Sequence, residues 1–251
     1  MNRLLLGTLA VALTATTAAA EEIRVMSAGA VEPGLLALAS AFERQSGHTV
    51  TIRFGTSPQL SARLGAGESA DVLIAPVAVV DGAAASSSID PQRRVVIGRV
   101  GVGVVIRRGL ARPDVSSADA LRRSVLAADA VVYNRASTGQ YVDRLFDRMG
   151  IAGQLREKAV RVDTGEDVIR RLATGSGNEL GLAAIPEIRL LEAEGVLLVA
   201  PLPTAIQNFT TYEGTILRAA RVPALAAMLL DFLTTPDARR QFADAGIERP
   251  D

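Results

Sequence analysis

The alternation of apolar and polar residues over residues 49–54 predicts a β-strand, and the segment after it predicts a turn followed by a helix. Gly55 supplies the turn, Ser57 suits the N-cap of the helix, and Pro58 suits its first position. The first turn of a helix carries unbonded N–H groups and the positive end of the helix dipole, so this segment forms a pocket for an anion. The alternative is that Ser57 only caps its helix.

Three further segments repeat this order of strand, polar turn and helix. Their strands are predicted at residues 23–26, 130–133 and 161–163, their turns at 27–30, 134–139 and 164–167, and their helices begin near Glu32, Gln140 and Val168. Such alternation predicts an α/β fold with mostly parallel sheets flanked by helices. Because ligands in these folds bind beyond the carboxyl ends of the strands, we expect the four turns to face one crevice.

Two long β segments, residues 95–106 and 209–217, divide the chain. The first is longer than an ordinary strand and contains three glycines, which favours a segment that crosses from one lobe to another. The alternative is a pair of strands with a bulge. We expect a two-lobed protein with two interlobe crossovers, in which residues 21–98 and 210–251 form one lobe and residues 99–209 form the other.

Composition and charge exclude several classes of function. The 251-residue chain has balanced formal charge, which argues against a nucleic-acid partner. It has no cysteine and a single histidine, His48, so Cys-ligated and paired-histidine metal sites are excluded. We expect neither a metal nor a cofactor.

The N-terminus has the pattern of a secretory signal peptide. A basic start that includes Arg3 precedes an apolar run at residues 4–13 and then the small residues Ala18, Ala19 and Ala20. The apolar run is too short for a permanent membrane span. We expect residues 1–20 to be removed and the mature protein to be periplasmic.

Several segments together resemble a known family. They are residues 25–30 (VMSAGA), 54–57 (FGTS), 70–74 (ADVLI), 137–141 (STGQY) and 166–168 (EDV), with a C-terminal part at 232–240 (FLTTPDARR) and 246–247 (GI). In this order the chain resembles the periplasmic solute-binding proteins of ABC importers with the type II fold, and within them the molybdate-binding branch. The resemblance implies a monomer that captures a small anion between two lobes and delivers it to an ABC permease in the inner membrane.

The resemblance also indicates site residues. The branch's second oxyanion-binding serine corresponds to Ser57, its first corresponds to Ala30, and its tyrosine donor corresponds to Ala184. Two side-chain donors are therefore missing, and each unmade bond costs about 1–3 kcal/mol, so we expect weak or no molybdate binding. With the turn residues, the candidate ligand-binding set is Ser27, Ala30, Ser57, Arg135, Ser137, Thr138, Gly139, Asp167, Val168 and Ala184.

The missing tyrosine leaves volume, and Arg135 could pair with a carboxylate, so we expect a larger organic anion. The alternative for Arg135 is a solvated arginine at the rim. Two further hypotheses are a ligand-sensing module that is not coupled to transport, and a hydrolase that uses Ser57 or Ser137. For the hydrolase, His48 lies at the opposite end of the strand and no Gly-x-Ser-x-Gly motif is present. Asp167 or Glu166 could serve as its base, but acidic residues at a helix start are expected as dipole partners. We therefore expect no catalytic residues.

The signal-peptide pattern can be tested directly. N-terminal sequencing of the protein recovered from the periplasm should begin at Glu21 or within a few residues of it. Intact protein that begins at Met1 and stays with the membrane would contradict the expectation.

Overall fold

The computed structural model describes residues 20–250, so the predicted signal peptide lies, except for Ala20, outside the described residues. The strands are β1 (Glu22–Ala28), β2 (Thr49–Gly55), β3 (Val72–Pro76), β4 (Ile89–Arg107), β5 (Ala130–Asn134), β6 (Ala159–Val162), β7 (Glu179–Ala184), β8 (Val196–Pro201) and β9 (Phe209–Leu217). The α-helices are α1 (Glu32–Ser46), α2 (Ser57–Gly65), α3 (Val77–Ala85), α4 (Ala118–Ala127), α5 (Ser137–Arg148), α6 (Ala152–Leu155), α7 (Gly165–Thr174), α8 (Ile185–Leu190), α9 (Pro223–Leu233) and α10 (Pro236–Asp244). None of the helices in this part of the chain is long and apolar enough to cross a membrane.

The strands form one connected path in the order β2-β1-β3-β9-β4-β7-β5-β6, and β8 also pairs with β4. In the first half of this path β1 is parallel to β2 and β3, and in the second half β5 is parallel to β6 and β7. The antiparallel strands β9 and β4 connect the two halves. The expectation of an α/β fold with parallel strands flanked by helices is confirmed.

Strand β4 crosses between the two halves. Its residues up to Gly101 pair with β9, and from Val102 onward they pair with β7 and β8. Strand β9 begins at Phe209, opposite Gly101, so the chain has already returned to the first half when β9 starts. The domain limits expected from the sequence, residues 98/99 and 209/210, stay a prediction.

Separate apolar cores support the two halves. The C-terminal helices α9 and α10 share one core with α1 and the strands β1 and β3, and Phe42 and Phe232 meet edge to face there. In the second half, the cluster that contains Leu121 and Phe146 and the cluster that contains Ile169 and Ile188 are formed by different helices. The neighbouring residues Val131 and Val132 of β5 belong to one cluster each, as expected for a strand covered on both faces.

Two helices begin earlier than the sequence suggested. Helix α5 begins at Ser137 rather than Gln140, and α7 begins at Gly165 rather than Val168, because the residues read as loops form the first helical turns. The expectation that Ser57 caps α2 is also wrong, because Thr56 is the N-cap and its N–H donates to the Gln59 side chain at 2.8 Å. Ser57 is instead the first helical residue.

The side chain of Gln207 holds the crossover strand where its pairing changes. Its Oε1 accepts from the Val102 N–H at 2.9 Å, and its Nε2 donates to the Val102 carbonyl at 3.0 Å. Gln207 therefore acts as an additional pairing partner for β4, just before the chain enters β9.

We predict that Gln207→Ala lowers the free energy of unfolding by about 1–3 kcal/mol, because it leaves the Val102 N–H without this partner. Urea denaturation measures the change. Gln154→Ala, at an exposed position of α6, is the matched control and should change stability by less than about 0.5 kcal/mol. Equal effects of the two substitutions would contradict this role for Gln207.

Candidate functional site

A cavity of about 380 Å³ lies where the carboxyl ends of the strands from both halves of the sheet meet. It is lined by the turn after β1, by the starts of α2, α5 and α7, by residues of and after α8, and by β9. Its lining includes Ala30, Glu32, Phe54, Ser57, Ser137, Thr138, Gly165, Glu166, Glu187, Leu190, Leu191 and Tyr212. The volume is in the range of small-molecule binding sites.

Three helix N-termini reach this cavity. The lining includes Ser57 of α2, Ser137 and Thr138 of α5, and Gly165 of α7, each within the first two residues of its helix. N–H groups at these positions have no acceptor within their own helix, and the helix dipole places partial positive charge there. The starts of these helices therefore offer backbone donors to an anion from both halves of the sheet.

The turn before α5 is shaped by the Asn134 side chain. Its Oδ1 accepts from the N–H groups of Ala136 at 3.1 Å and Gly139 at 2.9 Å. A Cβ atom on residue 139 would lie 1.6 Å from the Asn134 carbonyl oxygen, so only glycine fits. The Gly139 N–H is thus used to build the turn, and Ser137 and Thr138 face the cavity.

A reciprocal pair of hydrogen bonds between Thr164 and Asp167 caps the start of α7. Thr164 Oγ1 accepts from the Asp167 N–H at 3.0 Å, and the Asp167 carboxylate accepts from the Thr164 N–H at 3.0 Å. The Val168 N–H approaches the Thr164 carbonyl at 3.4 Å, and its side chain is fully buried. The donors on this helix that remain at the cavity are therefore those of Gly165 and Glu166, which precede the predicted ones.

Of the ten predicted ligand-binding residues, the cavity lining brings together Ala30, Ser57, Ser137 and Thr138. Gly139, Asp167 and Val168 shape the turns as described above. Ser27 is fully buried in β1, where its hydroxyl donates to the Ala28 carbonyl at 3.3 Å. Arg135 is exposed and pairs with Asp163 at 3.1 Å. Ala184 is buried at the N-cap of α8.

Glu187 is the principal residue that the sequence did not indicate. It is the third residue of α8, lines the cavity, and accepts a hydrogen bond from the Ala184 N–H. A Cβ atom on residue 165 would lie 1.8 Å from its Oε2, and a Cβ on residue 29 would lie 3.7 Å from its Oε1. The carboxyl group thus lies against the start of α7 and near the turn after β1. An acidic residue in the first turn of a helix is normally a dipole partner, so its position in the sequence did not indicate a functional role.

Burial is the main reason why Glu187 resists ionisation. It raises the pKa of Glu187 to about 7, the N–H of Ala184 opposes the rise, and the carboxylates of Glu32 and Glu166 add to it. Burial and Glu166 also raise the pKa of Glu32. The described lining contains no lysine, arginine or histidine that would favour the ionised forms.

Tyr212 supplies a phenol from β9. Its ring is buried, and its hydroxyl is hydrogen-bonded to Ser137. Burial raises the pKa of Tyr212, and the neighbouring Glu187 adds to the rise, so the phenol stays neutral and can donate a hydrogen bond. The phenol that the resemblance places at residue 184 is absent there, but the cavity has one on a different strand. Its position in a long β segment gave no functional signal.

Ser57 and Ser137, the two candidate nucleophiles of a serine hydrolase, have no histidine beside them. The Nδ1 atom of His48 accepts from the Glu21 N–H at 3.1 Å, at the amino ends of β1 and β2. The cavity lies at the carboxyl ends of these strands. The arrangement suits anion binding through N–H groups and hydroxyls, beside one carboxyl group that gains or loses a proton near neutral pH.

We predict that Glu187→Gln stabilises the fold at high pH. Native Glu187 keeps its proton up to about pH 7, whereas an ordinary glutamate loses it near 4.5, so the stability of the parent falls as the pH rises through this interval. Glutamine does not titrate and can still accept from Ala184. The advantage of the variant should therefore grow by about 1–3 kcal/mol from pH 4.5 to 7 and then stay constant.

Urea denaturation across this interval is the measurement. Glu194→Gln, at an exposed site outside the cavity, is the matched control and should show no such growth. A Glu187→Gln advantage that is equal at acidic and alkaline pH would contradict the raised pKa.

Comparison with known proteins gives one match in sequence along nearly the whole chain. An aconitate isomerase from Pseudomonas sp is 29% identical over 253 residues, which cover 98% of this chain and 95% of that protein.

Solved structures share the fold at lower sequence identity. The periplasmic molybdate-binding protein of Azotobacter vinelandii has a TM-score of 0.75 and 19% identity, covering 91% of this chain and 100% of that one. The sulfate-binding protein SubI from Mycobacterium tuberculosis H37Rv has a TM-score of 0.74 and 17% identity, covering 92% of this chain and 88% of that one. The profile of the family described as bacterial extracellular solute-binding protein matches residues 23–248. The chain therefore belongs to the family of bacterial extracellular solute-binding proteins.

Proposed function

We propose that this protein captures a small organic polycarboxylate in the cavity between the two halves of its sheet. The observation that carries the proposal is the composition of that cavity. Three helix starts with backbone donors and an apolar wall line the same volume of about 380 Å³. Donors of this kind suit carboxylates, and the apolar wall suits the carbon skeleton that joins them.

The apolar part of the cavity argues against a metal oxyanion. Phe54, Leu190 and Leu191 line it, and Leu190 is 50% exposed at its edge. A tetrahedral oxyanion is polar on every side and gains nothing from such a wall. The side chain of Ala30, where the molybdate-binding branch has a serine, also offers no hydroxyl. Weak or no molybdate binding therefore remains part of the proposal.

The positive charge for the ligand comes from helix starts rather than from an arginine. Arg135 was expected to pair with a carboxylate, but its partner is Asp163 and it does not line the cavity. Glu187 contributes in its protonated form, in which it donates a hydrogen bond instead of repelling an anion. The affinity for a polycarboxylate should therefore fall as the pH rises through about 7.

The relative found by sequence suggests the ligand class. Its name says that it acts on aconitate, which is propene-1,2,3-tricarboxylate, and the match spans almost the whole of both chains. Three carboxylates on a three-carbon skeleton can each approach one of the starts of α2, α5 and α7. We propose an unsaturated tricarboxylate of this kind, or a close analogue, as the ligand.

Capture in the periplasm for import is the corresponding biological role. The signal-peptide pattern at residues 1–20 supports export, and the family supports solute binding. In this role the monomeric protein closes on its ligand and delivers it to the permease of an ABC importer in the inner membrane. A sensing module that is not coupled to transport would use the same cavity and would differ only in its partner.

Isomerisation of the bound anion is a second candidate function. Two observations favour it: the name of the relative, and the presence of a proton-carrying side chain, Glu187, in the cavity.

We predict that isothermal calorimetry at pH 6 detects binding of cis- or trans-aconitate and much weaker binding of molybdate and sulfate. Ser57→Ala should weaken aconitate binding by about tenfold to a hundredfold, because one hydrogen bond to a charged group is lost. Ser61→Ala, at an exposed position on the same helix outside the cavity, should leave it unchanged. Tight molybdate binding without any response to polycarboxylates would refute the proposed ligand class.

A further inference from the structure

We propose that Glu187 is a catalytic residue that moves a proton between two carbons of the bound tricarboxylate, so that the cavity isomerises its ligand as well as binding it. This inference rests on the proposed function, because it needs an unsaturated polycarboxylate in the cavity. It adds the reaction, the residue that carries it and the absence of any co-reactant.

Glu187 is positioned next to the part of the cavity where a ligand would bind. Its carboxyl group occupies the space that a Cβ atom on residue 165 would take, and its other oxygen is near Gly29. It therefore lies between the start of α7 and the turn after β1, where these two segments line the cavity. A ligand held by the N–H groups of Gly165 and of the neighbouring helix starts would have its carbon atoms next to this carboxyl group.

Among the described residues, the titratable groups around Glu187 carry no positive charge. The titratable groups that face it are Glu32 from α1, Glu166 from α7 and Tyr212 from β9. None of them is a cation, and its backbone partner is the Ala184 N–H. A carboxylate whose role is to stabilise the fold or to bind a cation would have a cationic partner. With its pKa raised to about 7, Glu187 is instead suited to take up and return a proton near neutral pH.

The other two glutamates are less suited to this task. Glu166 already forms an ion pair with Arg170 one turn further along α7. Glu32, the first residue of α1, also has a raised pKa, but the side-chain atoms that approach Gly165 and Gly29 belong to Glu187. Glu187 is the carboxyl group that approaches both the α7 start and the β1 turn.

The reaction balances without a co-reactant. The Glu187 carboxylate removes a proton from the CH₂ group that adjoins the double-bonded carbon. The electron pair of that C–H bond forms the new double bond, and the former π pair moves to the far carbon and into the carboxylate attached to it. Protonated Glu187 then returns the proton to the far carbon. The double bond has moved by one position, and Glu187 is again a carboxylate. Because aconitate has a carboxylate on each end carbon, the product is again aconitate, and the orientation in which the CH₂ carboxylate is held decides whether the new double bond is cis or trans.

The rest of the cavity stabilises the intermediate charge. Negative charge accumulates on a ligand carboxylate in the anionic intermediate, and fixed donors near it lower the barrier. The helix starts supply such donors, and the neutral Tyr212 hydroxyl, oriented by Ser137, can supply another. The shift requires no redox change and no hydrolysis.

The decisive experiment follows cis-aconitate by ¹H NMR in D₂O with the full mature protein. We expect trans-aconitate to form, with deuterium entering the CH₂ and vinyl positions. Glu187→Gln should slow both processes by at least about a hundredfold while calorimetry still shows aconitate binding. In the parent protein kcat/KM should rise with pH up to about 7 and then level off, since the carboxylate form is the base. Glu194→Gln, outside the cavity, should retain the parent rate.

Each other outcome has a distinct meaning. Binding of aconitate by the parent protein without isomerisation or deuterium exchange would overturn the inference and leave the proposed function intact. Exchange that persists in Glu187→Gln would overturn the assignment of Glu187. Absence of aconitate binding would refute the proposed function and the inference with it. If Glu187→Gln did not fold, Glu187→Asp, which keeps the charge but withdraws the carboxylate by one methylene, should bind aconitate and lose most of the turnover.

Discussion

The pairing of β4 with β9 is the interaction on which the site depends. These two antiparallel strands connect the parallel strands of one half to those of the other, and β4 changes its partners between Gly101 and Val102. Because of this connection, the carboxyl ends of β1 and β2 line the same cavity as those of β5 and β6. The side chain of Gln207 bonds both backbone groups of Val102 at this point, so the junction itself is hydrogen-bonded. Helix starts from both halves reach one cavity only because of this connection.

The carboxyl group of Glu187 is the feature of this cavity that anion binding alone does not explain. A partly buried carboxyl group without a cation beside it lowers stability whenever it is ionised, and α8 places it where an anionic ligand is expected. Glycine at residue 165 leaves the space that its carboxyl group occupies. Residues that destabilise the fold without a compensating packing contact or ion pair are common at functional sites. Proton transfer to and from a ligand is a function that the Glu187 carboxyl group could perform at such a site.

Much of the fold could be predicted from the sequence, because periodicity and turn chemistry are local signals. The alternation of strands and helices, the crossover near residues 95–106 and the turns at Ser57 and Ser137 follow from residues that are neighbours in the chain. Helix starts were displaced because a first helical turn and a polar loop have the same composition, as at Ser137-Thr138-Gly139. The role of Asn134 in bonding Gly139, and the pairing of Arg135 with Asp163, depend on folded geometry. Tyr212 and Glu187 could not be identified as cavity residues, since their approach to Ser137 and Gly165 joins positions far apart in the chain.

The central claim is that Glu187 lies in the ligand cavity as a carboxyl group that ionises near neutral pH. A ¹³C NMR titration of glutamate-labelled protein, with the Glu187 signal assigned from its loss in Glu187→Gln, measures this most directly. In the free protein the midpoint should be about 7, and saturation with a tricarboxylate should raise it, because the adjacent anion disfavours the ionised form. A midpoint near the ordinary value of 4.5 that does not respond to the ligand would contradict the account.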